Sequence, residues 1–318
     1  MIKWKGHLSK PRALPGGGPQ GGTLGIEEYL SQSNNNTDFL DPEEKFKFID
    51  DLSIIEVLNL INICLSSFNF HQHVASDIGI ENSYLDASNI KAQTYLDRVA
   101  DWTNEHEMKL NDKKSKYMIF NFSKKYQFST RLKMEGKVLD QVHQTKLLGL
   151  TLQDDFSWRA NTDELTKKAY KRMILLKNLF SFNVPIEDLI DIYYLYIRSI
   201  VEQSAVVWHS SLTKGEQNDL ERVQKVALRI ILREQYTTYL EALELTGIET
   251  LKARRAKLCL NFAKKCVKSD KTSDIFPLNV TTVNTRRPEK YHVIHARTDR
   301  LANSAVPYMT SLLNANVK

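Results

Sequence analysis

Cysteine is scarce in this sequence, and so are long apolar runs, and each scarcity excludes something. No stretch approaches the roughly 18 consecutive apolar residues that a membrane-spanning helix needs. The opening MIKWKGHLSKPRALPGGG carries charge but no apolar core, so it does not read as a secretory signal. There are three cysteines, Cys64, Cys259 and Cys266, without C-x-x-C spacing. That pattern excludes a disulfide framework and a structural zinc site, and places the chain in a reducing compartment: intracellular, cytoplasmic or nuclear, and not secreted. Cys259 and Cys266 stand seven apart on one face of an expected helix and read as small buried hydrophobes. His71, His73, His106 and His209 have no H-E-x-x-H or Cys/His metal spacing. The Gly-rich segment lacks the Gly-Lys-Ser/Thr of a phosphate-binding loop, no Ser/His/Asp hydrolase signature is present, and there is no internal repeat.

What is present is a core and an uneven charge. Apolar residues make up 42% of the 318 and aromatics 9%, enough to bury a sizeable interior. The net charge is +6. The first 160 residues carry 19 Lys+Arg against 21 Asp+Glu, and the remaining 158 carry 25 against 17. A near-neutral first half joined to a basic second half suggests a polyanion contact in the second.

Along the chain, LPGGGPQGGTLG (residues 14–25) concentrates Gly and Pro and must turn sharply or approach something closely. A polar loop follows. In KFKFIDDLSIIEVL (residues 45–58), two β-prone runs flank Asp50-Asp51, which predicts a hairpin with the aspartates at or beside its turn. Residues 89–106 place Ile90, Leu96, Val99 and Trp102 on one face and predict a helix. A basic turn then leads into a strand from Tyr117, and Glu135-Gly136 marks a turn between further short strands. From about residue 161 the pattern changes to long helices. One is expected to start near Pro185 and run through VVW. Another starts at a capping box, Thr213 with Glu216. On that helix Leu220, Val223, Ala227 and Ile230 form an apolar stripe, while Arg222, Lys225, Arg229 and Arg233 form a basic stripe nearly opposite. A further basic helix is expected around residues 250–268, and the tail after Ser269 reads as less regular. The fold class is therefore α+β: short strands with packed helices, followed by an all-helical part.

Two constellations carry candidate chemistry. Adjacent carboxylates such as Asp50 and Asp51, held by a hairpin, suit a hard divalent cation that keeps most of its waters; the alternative is a solvated turn. The basic stripe suits contact with the phosphates of a nucleic acid, or else is a solvated helix face. A second acidic pair, Asp154-Asp155, reads as a polar turn.

The order of several motifs is more specific than any one of them. Pro19-Gln20-Gly21 with Gly25 is followed by Phe48-Ile49-Asp50-Asp51. Next come Asn111, Lys114, Ser115, Met118 and Phe120, then Lys146, Leu148, Gly149 and Trp158. This succession, with the helical SIVEQSAVVWHSSLT and DLERVQKVALRIIL, resembles the reverse transcriptase of non-LTR (LINE-type, jockey- or CR1-like) retrotransposons over about residues 10–265. The resemblance implies a partial polymerase palm over residues 1–158, with an antiparallel sheet and packed helices. It also implies a helical thumb and following region over 159–268, and an irregular C-terminal tail over 269–318. It implies two-metal nucleotidyl transfer by an RNA-directed DNA polymerase, with Mg²⁺ as cofactor, in which Asp50 and Asp51 hold the ion pair. Lys114 would lie near the triphosphate and protonate the departing pyrophosphate. Pro19, Gln20, Gly21 and Gly25 would line the template and incoming nucleotide, and residues 146–158 would form the primer grip. Arg222, Lys225, Arg229 and Arg233 would follow the backbone of the template–primer duplex. The implied partners are an RNA template, a DNA primer or target DNA, and deoxynucleoside triphosphates, without a membrane.

The sequence also departs from that pattern. The family's third carboxylate lies upstream of the Pro-Gln-Gly segment, where this chain has no acidic residue. Glu27 and Glu28 stand where the family is apolar, and the box begins with Phe48. The expectation is a truncated palm–thumb fragment, inactive alone because the upstream aspartate and the fingers are missing. A non-enzymatic nucleic-acid-binding protein using the basic helices is the alternative reading. A third reading is a helical protein-interaction module or a non-expressed pseudogene product.

Overall fold

The computed structural model describes residues 91–105, 110–111, 113–122, 130–279 and 289–316, together with the strand backbone at 3–4, 7–8, 45–48 and 51–54. The chain divides into two compact units, Met1–Val142 and His143–Lys318.

In the first unit, β1 (Lys3–Trp4) pairs with β2 (His7–Leu8), and β3 (Lys45–Phe48) pairs antiparallel with β4 (Asp51–Ile54). The second ladder closes with Phe48 opposite Asp51. Helix α1 (Lys91–Glu105) follows. Then come β5 (Lys116–Tyr117), β6 (Lys133–Met134), β7 (Lys137–Val138) and β8 (Asp140–Gln141). Strands β6 and β7 form a hairpin whose turn residues, Glu135 at φ 51° and Gly136 at φ 76°, are both left-handed. That is the geometry a two-residue hairpin turn requires, and it is why glycine follows the glutamate. Leu132, Met134 and Leu139 form a small core, with Leu96 of α1 packed on it. The side chain of Gln93 closes the contact like a strand partner. Its Oε1 accepts from the Lys133 amide and its Nε2 donates to the Lys133 carbonyl, each at 2.8 Å.

The second unit begins with a hairpin, β9 (Gln144–Leu147) and β10 (Leu150–Gln153), and is otherwise helical. Helix α2 (Arg159–Ser181) is followed by α3 (Ile186–Ile192). The single helix expected from Pro185 to Trp208 is broken twice. It widens to a π-helix over Tyr193–Arg198, resumes for one α turn at Ser199–Val201, and breaks at Ser204, where φ is 49°, before α4 (Ala205–Trp208). Apolar periodicity does not register such breaks, because both sides keep their buried residues.

Helix α5 (Lys214–Leu232) starts at the expected capping box: the Thr213 side chain accepts from the Glu216 amide, and the Glu216 carboxylate accepts from the Thr213 amide. Threonines also cap α6 (Tyr239–Thr246), α7 (Leu251–Lys268) and α8 (Asp299–Ala302), and the last helix is α9 (Ala305–Ala315). A hydroxyl that accepts an otherwise unpaired first-turn amide accounts for this preference.

The main core gathers Leu165, Leu176, Leu189, Tyr193, Trp208, Leu220, Leu228 and Leu251, among others, from α2 through α7. A second cluster joins Cys259, Ala263 and Cys266 of α7 to Phe276, Tyr291, Met309 and Leu313. Both cysteines are thus buried apolar contacts, and burial pushes the Cys259 thiol up to about 11. One charge lies fully inside: Arg255, whose Nε donates to Nδ1 of His209 at 3.3 Å. Burial, with Arg255 alongside, holds His209 down to about 4, so the imidazole is neutral at pH 7 and accepts at Nδ1.

Candidate nucleic-acid interface

Helix α5 separates its two faces cleanly. Leu220, Val223, Ala227 and Leu228 are wholly buried, and Ile230 is half-buried at the edge. Arg222, Arg229 and Arg233 are exposed, and Lys225 is half-buried. From Arg222 to Arg233 the stripe runs about 16 Å at 1.5 Å per residue. Helices α2 and α5 lie side by side in the same direction. Arg159 near the start of α2 pairs with Asp219 near the start of α5 at 2.9 Å, while Arg233 at the end of α5 sits over the ring of Phe180 at the end of α2.

The stripe rests on aromatic rings. The Lys225 ammonium lies 5.0 Å from the ring centre of Tyr239, the Arg229 guanidinium 5.2 Å from Tyr236, and the Arg233 guanidinium 3.3 Å from Phe180. A cation over a ring face is held by the ring's quadrupole while its outer side stays in water. The stacking fixes three long side chains in one row, which lowers the entropy lost when they bind an anion. Arg233 adopts φ 46° and ψ −112°, a sparsely populated conformation that turns its side chain back onto Phe180. Beneath the stripe, Tyr239 donates to Glu221, and Gln224, buried on the apolar face, donates to Tyr239 and to the Glu249 carbonyl at 2.9 Å each. Burial and Glu221 together raise the Tyr239 phenol far above its ordinary range, so it remains a donor. These rings were not found by sequence reasoning. The only signal was two tyrosines, Tyr236 and Tyr239, just past a basic helix.

The turn of β9–β10 carries the Lys-x-Leu-Gly residues. Leu148 at φ 48° and Gly149 at φ 83° form a left-handed two-residue turn. A Cβ on Gly149 would stand 2.7 Å from Nε2 of Gln203, so glycine is required twice, for the dihedral and for the approach. Lys146 is not open to a ligand of its own: it pairs with Glu164 at 2.5 Å, and Glu164 also pairs with Lys168 at 2.6 Å and accepts from Thr151. The Lys146 bond and its companions hold the Glu164 carboxyl down to about 2. Asp154-Asp155 is a turn, with Asp155 accepting from the Ser157 amide and Asp154 against His143.

In the first unit, Asn111 shapes the segment that bears Lys114. Its carbonyl accepts from the amides of Lys114 and Ser115, at 3.1 and 3.0 Å, and its side chain accepts from the Lys114 amide at 3.2 Å. The spacing Asn-x-x-Lys-Ser is that of a turn closed by its own asparagine, with Lys114 exposed on it just before β5. Asp51 begins β4. Asp50, Pro19, Gln20, Gly21 and Gly25 lie outside the described residues. Among the described residues no group of three His, Cys, Asp or Glu side chains could hold a metal, and no helix is long and apolar enough to cross a membrane.

The chain is 23% identical over 188 residues to a probable RNA-directed DNA polymerase from transposon BS of Drosophila melanogaster. It is a distant relation to a mobile-element reverse transcriptase. The alignment covers 57% of this chain and 18% of that protein, so the chain spans about a fifth of its relative's length. No family model matches, and no solved structure matches.

Proposed function

We propose that this chain is part of an RNA-directed DNA polymerase of a LINE-type mobile element, and that its basic helix α5 contacts the backbone of the template–primer duplex. The observation that carries the reading is the similarity to the transposon polymerase, which runs over more than half of the chain. The α5 stripe supports the nucleic-acid part, because three of its four cations are held in a row by aromatic rings and still face solvent.

In this reading Asp50 and Asp51 contribute carboxylate oxygens to Mg²⁺, which would activate the primer hydroxyl and stabilise the departing pyrophosphate. Lys114, exposed on its turn, would face the triphosphate. Pro19, Gln20, Gly21 and Gly25 would lie along the template. A second reading, a nucleic-acid-binding protein without catalysis, is favoured by the α5 stripe taken alone.

Fluorescence anisotropy with a labelled RNA–DNA hybrid across a salt series tests both. The polymerase reading expects a steep salt dependence, tighter binding with Mg²⁺, and loss of that Mg²⁺ response in Asp50→Ala. Binding that ignores both Mg²⁺ and Asp50→Ala supports the second reading. Absence of binding at low salt overturns both.

A further inference from the structure

Outside the α5 stripe, the second unit exposes an apolar face built by α2 and the π-helical segment. Ile174 is 60% exposed and Leu175 39% on α2, and Leu195 is 69% and Tyr196 48% exposed on the π-helix. Large apolar side chains do appear singly on surfaces, but four on two neighbouring elements form a patch. The elements are adjacent there, because Arg172 of α2 donates to the Tyr196 carbonyl at 3.1 Å. The π-helical widening explains why two consecutive residues face out: Tyr193 and Ile197 stay fully buried while Leu195 and Tyr196 turn to solvent.

The charges around this patch are polarised. Lys167 and Lys171, one to two turns before Ile174 on α2, are exposed at one end. After the turn at 182–185 the chain reverses, so Glu187, Asp188 and Asp191 of α3, all exposed, stand at the other end. The face is therefore basic, apolar and acidic in succession. A surface of that kind is complementary to itself: a two-fold axis through its apolar centre sets the basic end of one copy against the acidic end of the other.

We propose that this face is the interface of a homodimer, formed by α2 and the π-helical segment of two copies packed about a two-fold axis. The 23 residues of α2 give a face about 34 Å long, and two helices about 9 Å apart give a width near 20 Å. That is about 700 Å² per copy, at the lower end of standard interfaces, so the dimer is one of micromolar affinity.

Sedimentation velocity of the full chain from about 1 to 100 μM tests this. The expected result is a concentration-dependent monomer–dimer equilibrium, abolished by the double variant Ile174→Asp, Leu195→Asp. A charge swap guards against misfolding as the cause. Lys171→Glu is expected to weaken the dimer about tenfold, and adding Asp191→Lys is expected to restore it, with circular dichroism unchanged throughout. A monomer at 100 μM overturns the proposal, as would a dimer indifferent to both sets of variants. A face covered instead by another segment of a longer protein gives the monomeric result.

Discussion

The two units are stabilised differently. The described part of the first unit holds its strands in pairs of two to four residues over a core of Leu132, Met134 and Leu139. The second buries a continuous interior from α2 through α7 and caps its helices with threonine hydroxyls. The residues on which metal chemistry is proposed, Asp50 and Asp51, belong to the first, and the row of cations belongs to the second. The contrast follows from what each task needs. Short hairpins place polar groups at tips with little core, whereas a row of cations needs a long, well-anchored helix to keep its spacing.

The largest way to break this contrast is at the centre of the helical unit. Trp208 is fully buried and its Nε1 donates to the Gln203 carbonyl at 3.0 Å. Trp208→Ala is expected to cost about 3–5 kcal/mol, read by urea unfolding or by loss of amide protection across α2, α5 and α7. Leu139→Ala in the small core is expected to cost about 2 kcal/mol, near the bottom of the range for such deletions, because fewer neighbours lose a partner. Hydrogen exchange should confine that loss to α1 and β5–β8; spread into α5 would show the units to be one cooperative structure.

Removing the α5 cap is a smaller perturbation. Thr213→Ala is expected to cost about 1 kcal/mol, and Thr213→Ser should retain most of the stability. Glu164 adds a pH dependence. Its carboxyl lies at about 2 in the fold against 4.5 for the ordinary group. A depressed folded pKa stabilises above the unfolded value, so the contribution is complete above about pH 4.5 and is lost as pH falls toward 2. In Glu164→Gln the slope of stability over that window should flatten, as measured by thermal melts at stepped pH. The smallest effect is on binding: Arg229→Gln should leave stability within about 0.5 kcal/mol and reduce the salt slope for an RNA–DNA hybrid by about 0.9.

Much of the second unit was legible beforehand. The Thr213–Glu216 box, the two faces of α5 and the helix over Leu251–Lys268 all follow from local spacing. So do the β3–β4 pairing and the Glu135-Gly136 turn. The split of the Pro185–Trp208 segment was not legible, since a π-helix and a left-handed Ser204 leave no mark in the apolar pattern. The C-terminal tail, expected to be irregular, contains α9, whose Met309 and Leu313 reach the cysteine face of α7. That helix forms against a partner some forty residues earlier in the chain. The candidate site divides the same way. Four cations could be read off a helical period, but the rings of Phe180, Tyr236 and Tyr239 beneath them could not.

The sequence alone determined what depends on neighbours within a few residues: where helices start, which face of α5 is apolar, and why glycine follows Glu135 and Leu148. Tertiary structure alone decided what depends on residues far apart in the chain. It set Phe180 under Arg233 and occupied Lys146 with Glu164. It also pressed Gln203 against Gly149 and turned Leu195 and Tyr196 outward beside α2. Capping and periodicity are properties of a hydrogen-bond ladder that repeats every 3.6 residues, so local sequence specifies them. Which side chain lies across from a given cation depends on how whole elements pack, and no short stretch of sequence carries that information.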